Sequence, residues 1–61
     1  MIVRYLVTMK DIDHIDLFML YEESVSDIES AEEELKREID KKLYNWEKWK
    51  LYKIEINITK C

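Results

Sequence analysis

Within one short stretch the chain carries Asp11, Asp13, His14 and Asp16, its densest set of groups able to bind a cation or move a proton. Several carboxylate oxygens beside an imidazole nitrogen suit a divalent ion. The stretch lacks the glycine turn and the distal bidentate glutamate of a calcium loop, and alternate residues of an extended chain point apart. It therefore reads as a solvated hairpin loop, and no metal site is expected. His14 as a general base has acidic neighbours but no nucleophile to serve, because Ser24, Ser26 and Ser30 fall where serines cap and start helices. Nothing supplies an oxyanion site, so the expectation is a protein without catalytic residues or a cofactor, not an enzyme. The composition sharpens this: with Gly 0 and Pro 0, a phosphate-cradling loop and a dinucleotide fingerprint are both excluded.

Two charged groupings remain. Glu29, Glu32, Glu33, Glu34, Glu38 and Asp40, joined by Glu22, Glu23 and Asp27, form an acidic run that could imitate nucleic-acid phosphates in a basic groove of another protein. It also suits the wet face of a helix, where Glu32 to Lys36, Glu33 to Arg37 and Glu38 to Lys42 are spaced as ion pairs with the acid first. Further along, Tyr44 falls opposite the apolar stripe of that helix, alongside Arg37, Lys41 and Lys48. An aromatic ring among cations could anchor a protein or stack a base. Trp46 and Trp49 lie nearer the stripe and are expected to close the core end of the helix.

These groups have to be positioned by a small scaffold. Residues 2–9 alternate and are rich in β-branched and aromatic types, with Val3, Tyr5, Val7 and Met9 on one side and Arg4, Leu6 and Thr8 on the other, which predicts a strand. Residues 15–22 alternate again, with Ile15, Leu17, Met19 and Tyr21 opposed to Asp16, Phe18, Leu20 and Glu22, and predict a second strand. Ser26 with Glu29 three residues on resembles a capping box. Ile28, Ala31, Leu35, Ile39, Leu43 and Trp46 then recur at helical spacing, predicting a long amphipathic helix over 26–47. Residues 51–60 return to period two as a third strand, with Tyr52, Ile54, Ile56 and Ile58 facing one way. The expected fold is α+β, a single two-layer ββαβ domain whose three-stranded antiparallel sheet, in the order 2-1-3, packs on one helix.

With one helix on one face of that sheet, Leu6, Phe18, Leu20 and Leu51 would lie on the other, flanked by Arg4, Thr8, Asp16 and Glu22, as a contiguous apolar surface. Self-association would cover it and enlarge a thin core, so a homodimer through the open sheet face is expected. A one-residue slip in register would exchange the two faces.

A chain of 61 residues is one domain that buries only about 60% of the surface its unfolded form exposes. The net charge of −4 disfavours nucleic acid and anionic lipid as partners. The apolar opening is interrupted by Arg4 and closed by Lys10 and Asp11, so it reads as a strand and neither as a signal peptide nor as a membrane span. The lone Cys61 has no internal partner, which fits a reducing compartment, and a cytoplasmic setting in a cell or infected host is expected.

In size and composition alone the chain is similar to small proteins carried by viruses and plasmids, many of which bind and block a host or defence protein. That likeness implies an inhibitor or modulator. The reading drawn from the residues is a non-enzymatic protein-binding module, engaging its target through Glu33, Arg37, Lys41, Tyr44 and Lys48. A nucleic-acid or nucleotide-ligand binder using the same basic aromatic segment, and a purely structural assembly subunit, are the alternatives.

Overall fold

The computed structural model describes residues 1–60; Cys61 lies outside the described residues. Strand β1 (Ile2–Thr8) is followed by a single 3-10 turn over Ile12–His14, helix α1 (Leu17–Glu22), helix α2 (Ile28–Asp40), a second 3-10 turn over Trp46–Lys48 and strand β2 (Lys50–Ile56). The two strands form one antiparallel ladder running from Ile2 opposite Ile56 to Thr8 opposite Lys50.

This overturns the three-stranded sheet on one long helix. The sheet has two strands, and residues expected to form the middle strand of the sequence, 15–22, form α1 instead. The cause is local. Asp16 sits in extended backbone and its Oδ1 accepts the Met19 amide at 2.8 Å, which satisfies one of the orphan donors of a helix start. The stretch from Leu17 to Glu23 contains no β-branched residue, whereas leucine, methionine and glutamate are good helix formers. Burial follows the helix: Met19 and Ser24 are buried and Ile15 and Leu20 half-buried, at spacings of four and one, while Leu17 and Tyr21 point outward.

The place beside β1 reserved for the missing strand is taken by one residue. Tyr5 and Val25 exchange backbone hydrogen bonds, both 2.8 Å, as an isolated antiparallel bridge. Arg4 fastens the same segment, donating from Nε to Ser24 Oγ at 2.9 Å and from Nη2 to the Ser24 carbonyl at 2.6 Å. Ser24 Oγ in turn donates to the Leu20 carbonyl, so a buried serine links β1 to the end of α1.

Helix α2 is shorter at both ends than the expected 26–47. Its N-cap is Asp27 rather than Ser26: Oδ2 accepts from the Ser30 amide at 3.2 Å and from Ser30 Oγ at 3.0 Å. At the other end the chain leaves the helix through Lys42, at φ 49°, and Asn45, at φ 61°. The Lys41 amide still bonds the Arg37 carbonyl and the Lys42 amide the Ile39 carbonyl, a termination that usually employs glycine. With none in the chain, a lysine takes the left-handed position. Leu43 and Trp46 are thereby thrown off the apolar stripe and are exposed.

The core is thin. Leu6, Val7, Met19 and Ala31 are the buried apolar residues, with Thr8 and Ser24 buried beside them. The accessible surface is 5143 Å², against about 4,200 Å² for a compact protein of 7.5 kDa. The radius of gyration, 12.7 Å, exceeds the roughly 10.5 Å of a compact chain of this length. Among the described residues no helix is long and apolar enough to cross a membrane.

Two stability measurements check this account. Leu6→Ala removes the one large side chain that is fully buried among the described residues and should cost about 2–5 kcal/mol in urea unfolding, enough to leave a large unfolded fraction in so small a domain. Lys42→Gly should stabilise by about 1 kcal/mol, because glycine carries no Cβ penalty at positive φ; a loss of stability would show that the helix end is not built this way.

Candidate protein-docking surface

Helix α1 is held from one side and bare on the other. Its inward side carries Met19 and Leu20, its start is closed by the Asp16 cap, and its end is tied to β1 by Ser24 under Arg4. Its outward side presents Leu17, Phe18 and Tyr21, exposed by 81%, 70% and 84%. On a helix these three fall within an arc of roughly 100° and make one ridge. Exposed Ile12 precedes it in the 3-10 turn, and Asp13, Asp16, Glu22 and Glu23 stand around it in sequence, all exposed. Single exposed apolar residues are ordinary; three large ones adjoining on a short fixed helix form a patch of the kind that marks a protein contact.

The sequence placed these residues differently. Leu17 and Tyr21 were expected on the core side of a strand, and the helix turns both outward. Of the four residues expected on an open sheet face, Leu6 is fully buried, Leu20 and Leu51 are half-buried, and only Phe18 is exposed. Leu6 cannot contribute to a contact between copies, because the chain already covers it. The signal for α1 was present in Asp16 before a run free of β-branched residues, but a helix of six residues is too short to display a 3.6-residue period.

The charged grouping expected on the long helix is divided among several elements. Glu33 and Arg37 are exposed on α2, Lys41 is its C-cap, Tyr44 lies beyond the left-handed turn at Lys42, and Lys48 sits in the second 3-10 turn. Tyr44 is 90% exposed and does not share the helix face with Arg37. Lys41 Nζ is engaged by Glu38 Oε1 at 3.0 Å, three residues back; Lys42, the partner expected four residues on, lies past the helix end. Trp46 is exposed and Trp49 half-buried, so neither seals the core. The acidic helix face is open to solvent, with a shallow depression lined by Glu29, Glu32, Glu33 and Lys36.

Asp11, Asp13, His14 and Asp16 do not converge, and among the described residues no group of three or more His, Cys, Asp or Glu side chains is placed to hold a metal ion. Asp11 has another role: its Oδ1 accepts from Lys50 Nζ at 2.5 Å, tying the loop after β1 to the start of β2. Tyr52 reinforces the tie by donating its hydroxyl to the Lys10 carbonyl at 3.1 Å. The hydrogen bond from Lys50, with the ammonium charge behind it, lowers the Asp11 carboxyl below its ordinary value, and the same bond raises Lys50.

Comparison with family models, with curated proteins and with solved structures finds no match to this chain.

The Asp11 to Lys50 pair gives a signed pH dependence. Because the Asp11 pKa is lowered on folding, its contribution is complete above the ordinary carboxylate value of 3.8 and is lost as pH falls through the lowered one. Because Lys50 is raised, its contribution is complete below 10.5 and is lost as pH rises through the raised value. Carboxyl-carbon NMR titration should place the Asp11 midpoint below 3.8, and Lys50→Met should return it towards that value; an unmoved midpoint in the variant would remove the pair from the description.

Proposed function

We propose that this chain is a non-enzymatic protein-binding module whose contact surface is the outward ridge of α1. The observation that carries the reading is the exposure of Leu17, Phe18 and Tyr21 on a helix whose opposite side carries the buried Met19 and whose end is tied to β1 through Ser24 and Arg4. An anchored helix presents its side chains with little ordering entropy left to lose on contact, which favours affinity. Phenylalanine and tyrosine supply large rigid contact area, and tyrosine adds a polar tip. The partner that fits is a protein with an apolar groove rimmed by basic residues, matching the acidic residues around the ridge.

The test uses the folded chain as bait and a partner first captured and identified, then purified for titration. Phe18→Glu with Tyr21→Glu should weaken that partner's binding at least about tenfold, as loss of hot-spot side chains does, with circular dichroism unchanged. Tyr44→Ala with Arg37→Glu serves as the contrast and should leave binding within about twofold, the size of effect expected from peripheral contacts. The reverse result would move the contact surface to the end of α2 and overturn this reading.

A further inference from the structure

The outer edge of β2 is open, and its residues match a second copy of themselves. The direction of the ladder's hydrogen bonds follows from the bridge on the other side of β1: Tyr5 spends its amide and carbonyl on Val25, so the neighbouring Arg4 and Leu6 turn theirs towards Ile54 and Tyr52. Along β2 the even-numbered residues therefore face β1, and Leu51, Lys53 and Glu55 direct their backbone groups outward. Among the described residues none of these three has a backbone hydrogen-bond partner on that outer side. A strand edge of this kind is a template for pairing with another chain.

We propose that two copies of this chain pair antiparallel along their β2 edges, with the two-fold axis at Ile54, to form one continuous four-stranded sheet in the order β1, β2, β2 of the second copy, β1 of the second copy. Charge selects this register. Outward-facing residues have to meet outward-facing residues, which allows only shifts of two. A register centred on Lys53 sets lysine against lysine, and one centred on Glu55 sets glutamate against glutamate. Centred on Ile54, Lys53 meets Glu55 of the second copy and Glu55 meets its Lys53, two opposite-charge pairs on one face of the sheet.

The other face agrees with the same register. Ile54 meets Ile54, and Tyr52 meets Ile56 in both directions, so half-buried and exposed apolar side chains gain apolar neighbours. Lys53 and Glu55, which pair with each other within one strand at 3.3 Å and stay well exposed, would gain a second partner each. Alternating charge of opposite sign does not blunt an edge as a row of lysines would; it admits one alignment and opposes its neighbours. The surface in excess of that of a compact chain is the kind of area such an assembly removes from water. This inference stands apart from the docking role of α1, since it uses neither that helix nor its partner.

The experiment is sedimentation of the chain carrying Cys61→Ser, so that no thiol bridges copies, compared with three charge variants. The parent should form a dimer. Lys53→Glu alone should weaken it about tenfold, because both attractive pairs become repulsive, and so should Glu55→Lys alone. Lys53→Glu with Glu55→Lys should restore the parent affinity, which a merely structural loss would not. Ile54→Cys in the same background places two thiols on the axis at a non-hydrogen-bonded pair, where Cα atoms approach to about 4.5 Å, and mild oxidation should link them. A monomer at the highest soluble concentration overturns the proposal, as does a dimer indifferent to the charge changes. A strand of another protein on this edge would leave the purified chain monomeric and is distinguished in this way. Variants of α1 should leave the dimer intact, so the failure of either reading is visible without the other.

Discussion

The structure depends on β1 being paired on both edges. β2 runs antiparallel along the whole of one side, and Val25 holds the other at a single point. Leu6 and Val7 lie at the buried end of this strand, and among the described residues the only helical one buried as completely as Leu6 is Ala31 of α2. A small residue on the helix lets its backbone come close to the sheet, so a short helix can cover a narrow ladder without long side chains to fill the gap. Burying one leucine stabilises by about 1.5–3 kcal/mol, which in a domain with so few buried apolar residues is a large share of the whole.

Polar contacts supply what the core lacks in extent. Arg4 reaches Ser24, Asp16 and Asp27 cap the two helices, and Asp11 with Tyr52 draws the loop after β1 onto β2. Each is modest alone, and the exposed ones are screened by solvent and salt. Their arrangement matters more than their sum. The caps close the helix starts locally, while Arg4 to Ser24 ties the end of α1 to β1 and Tyr52 to Lys10 ties the loop after β1 to β2.

The parts legible from the sequence were those with enough residues to display a period. The first and last strands alternate over seven residues each, and their antiparallel pairing follows from the ladder. The Ala31, Leu35 and Ile39 stripe marks α2, although its cap is displaced by one residue, from Ser26 to Asp27, whose carboxylate accepts the Ser30 amide. Two features were hidden. Six residues of α1 fit alternation as well as a helix, so the period carries no information there and the Asp16 cap and helix propensity decide. The end of α2 was hidden because glycine and proline, the usual stop signals, are absent, and a lysine at positive φ does the stopping. Both features relocate surface residues: α1 turns Leu17 and Tyr21 outward, and the end of α2 at Lys42 takes Tyr44 off the helix.

The ladder joins the most distant parts of the described chain, and even its nearest pair connects residue 8 to residue 50. On a ribosome, where the chain emerges in order, β1 is made long before its partner, while the two helices can start locally from their own aspartates. The apolar strand must then wait, uncovered, through the synthesis of everything between. Closure becomes a late, all-at-once event, and a nascent chain stalled before β2 would display Leu6 and Val7 to whatever chaperone or aggregate is nearest.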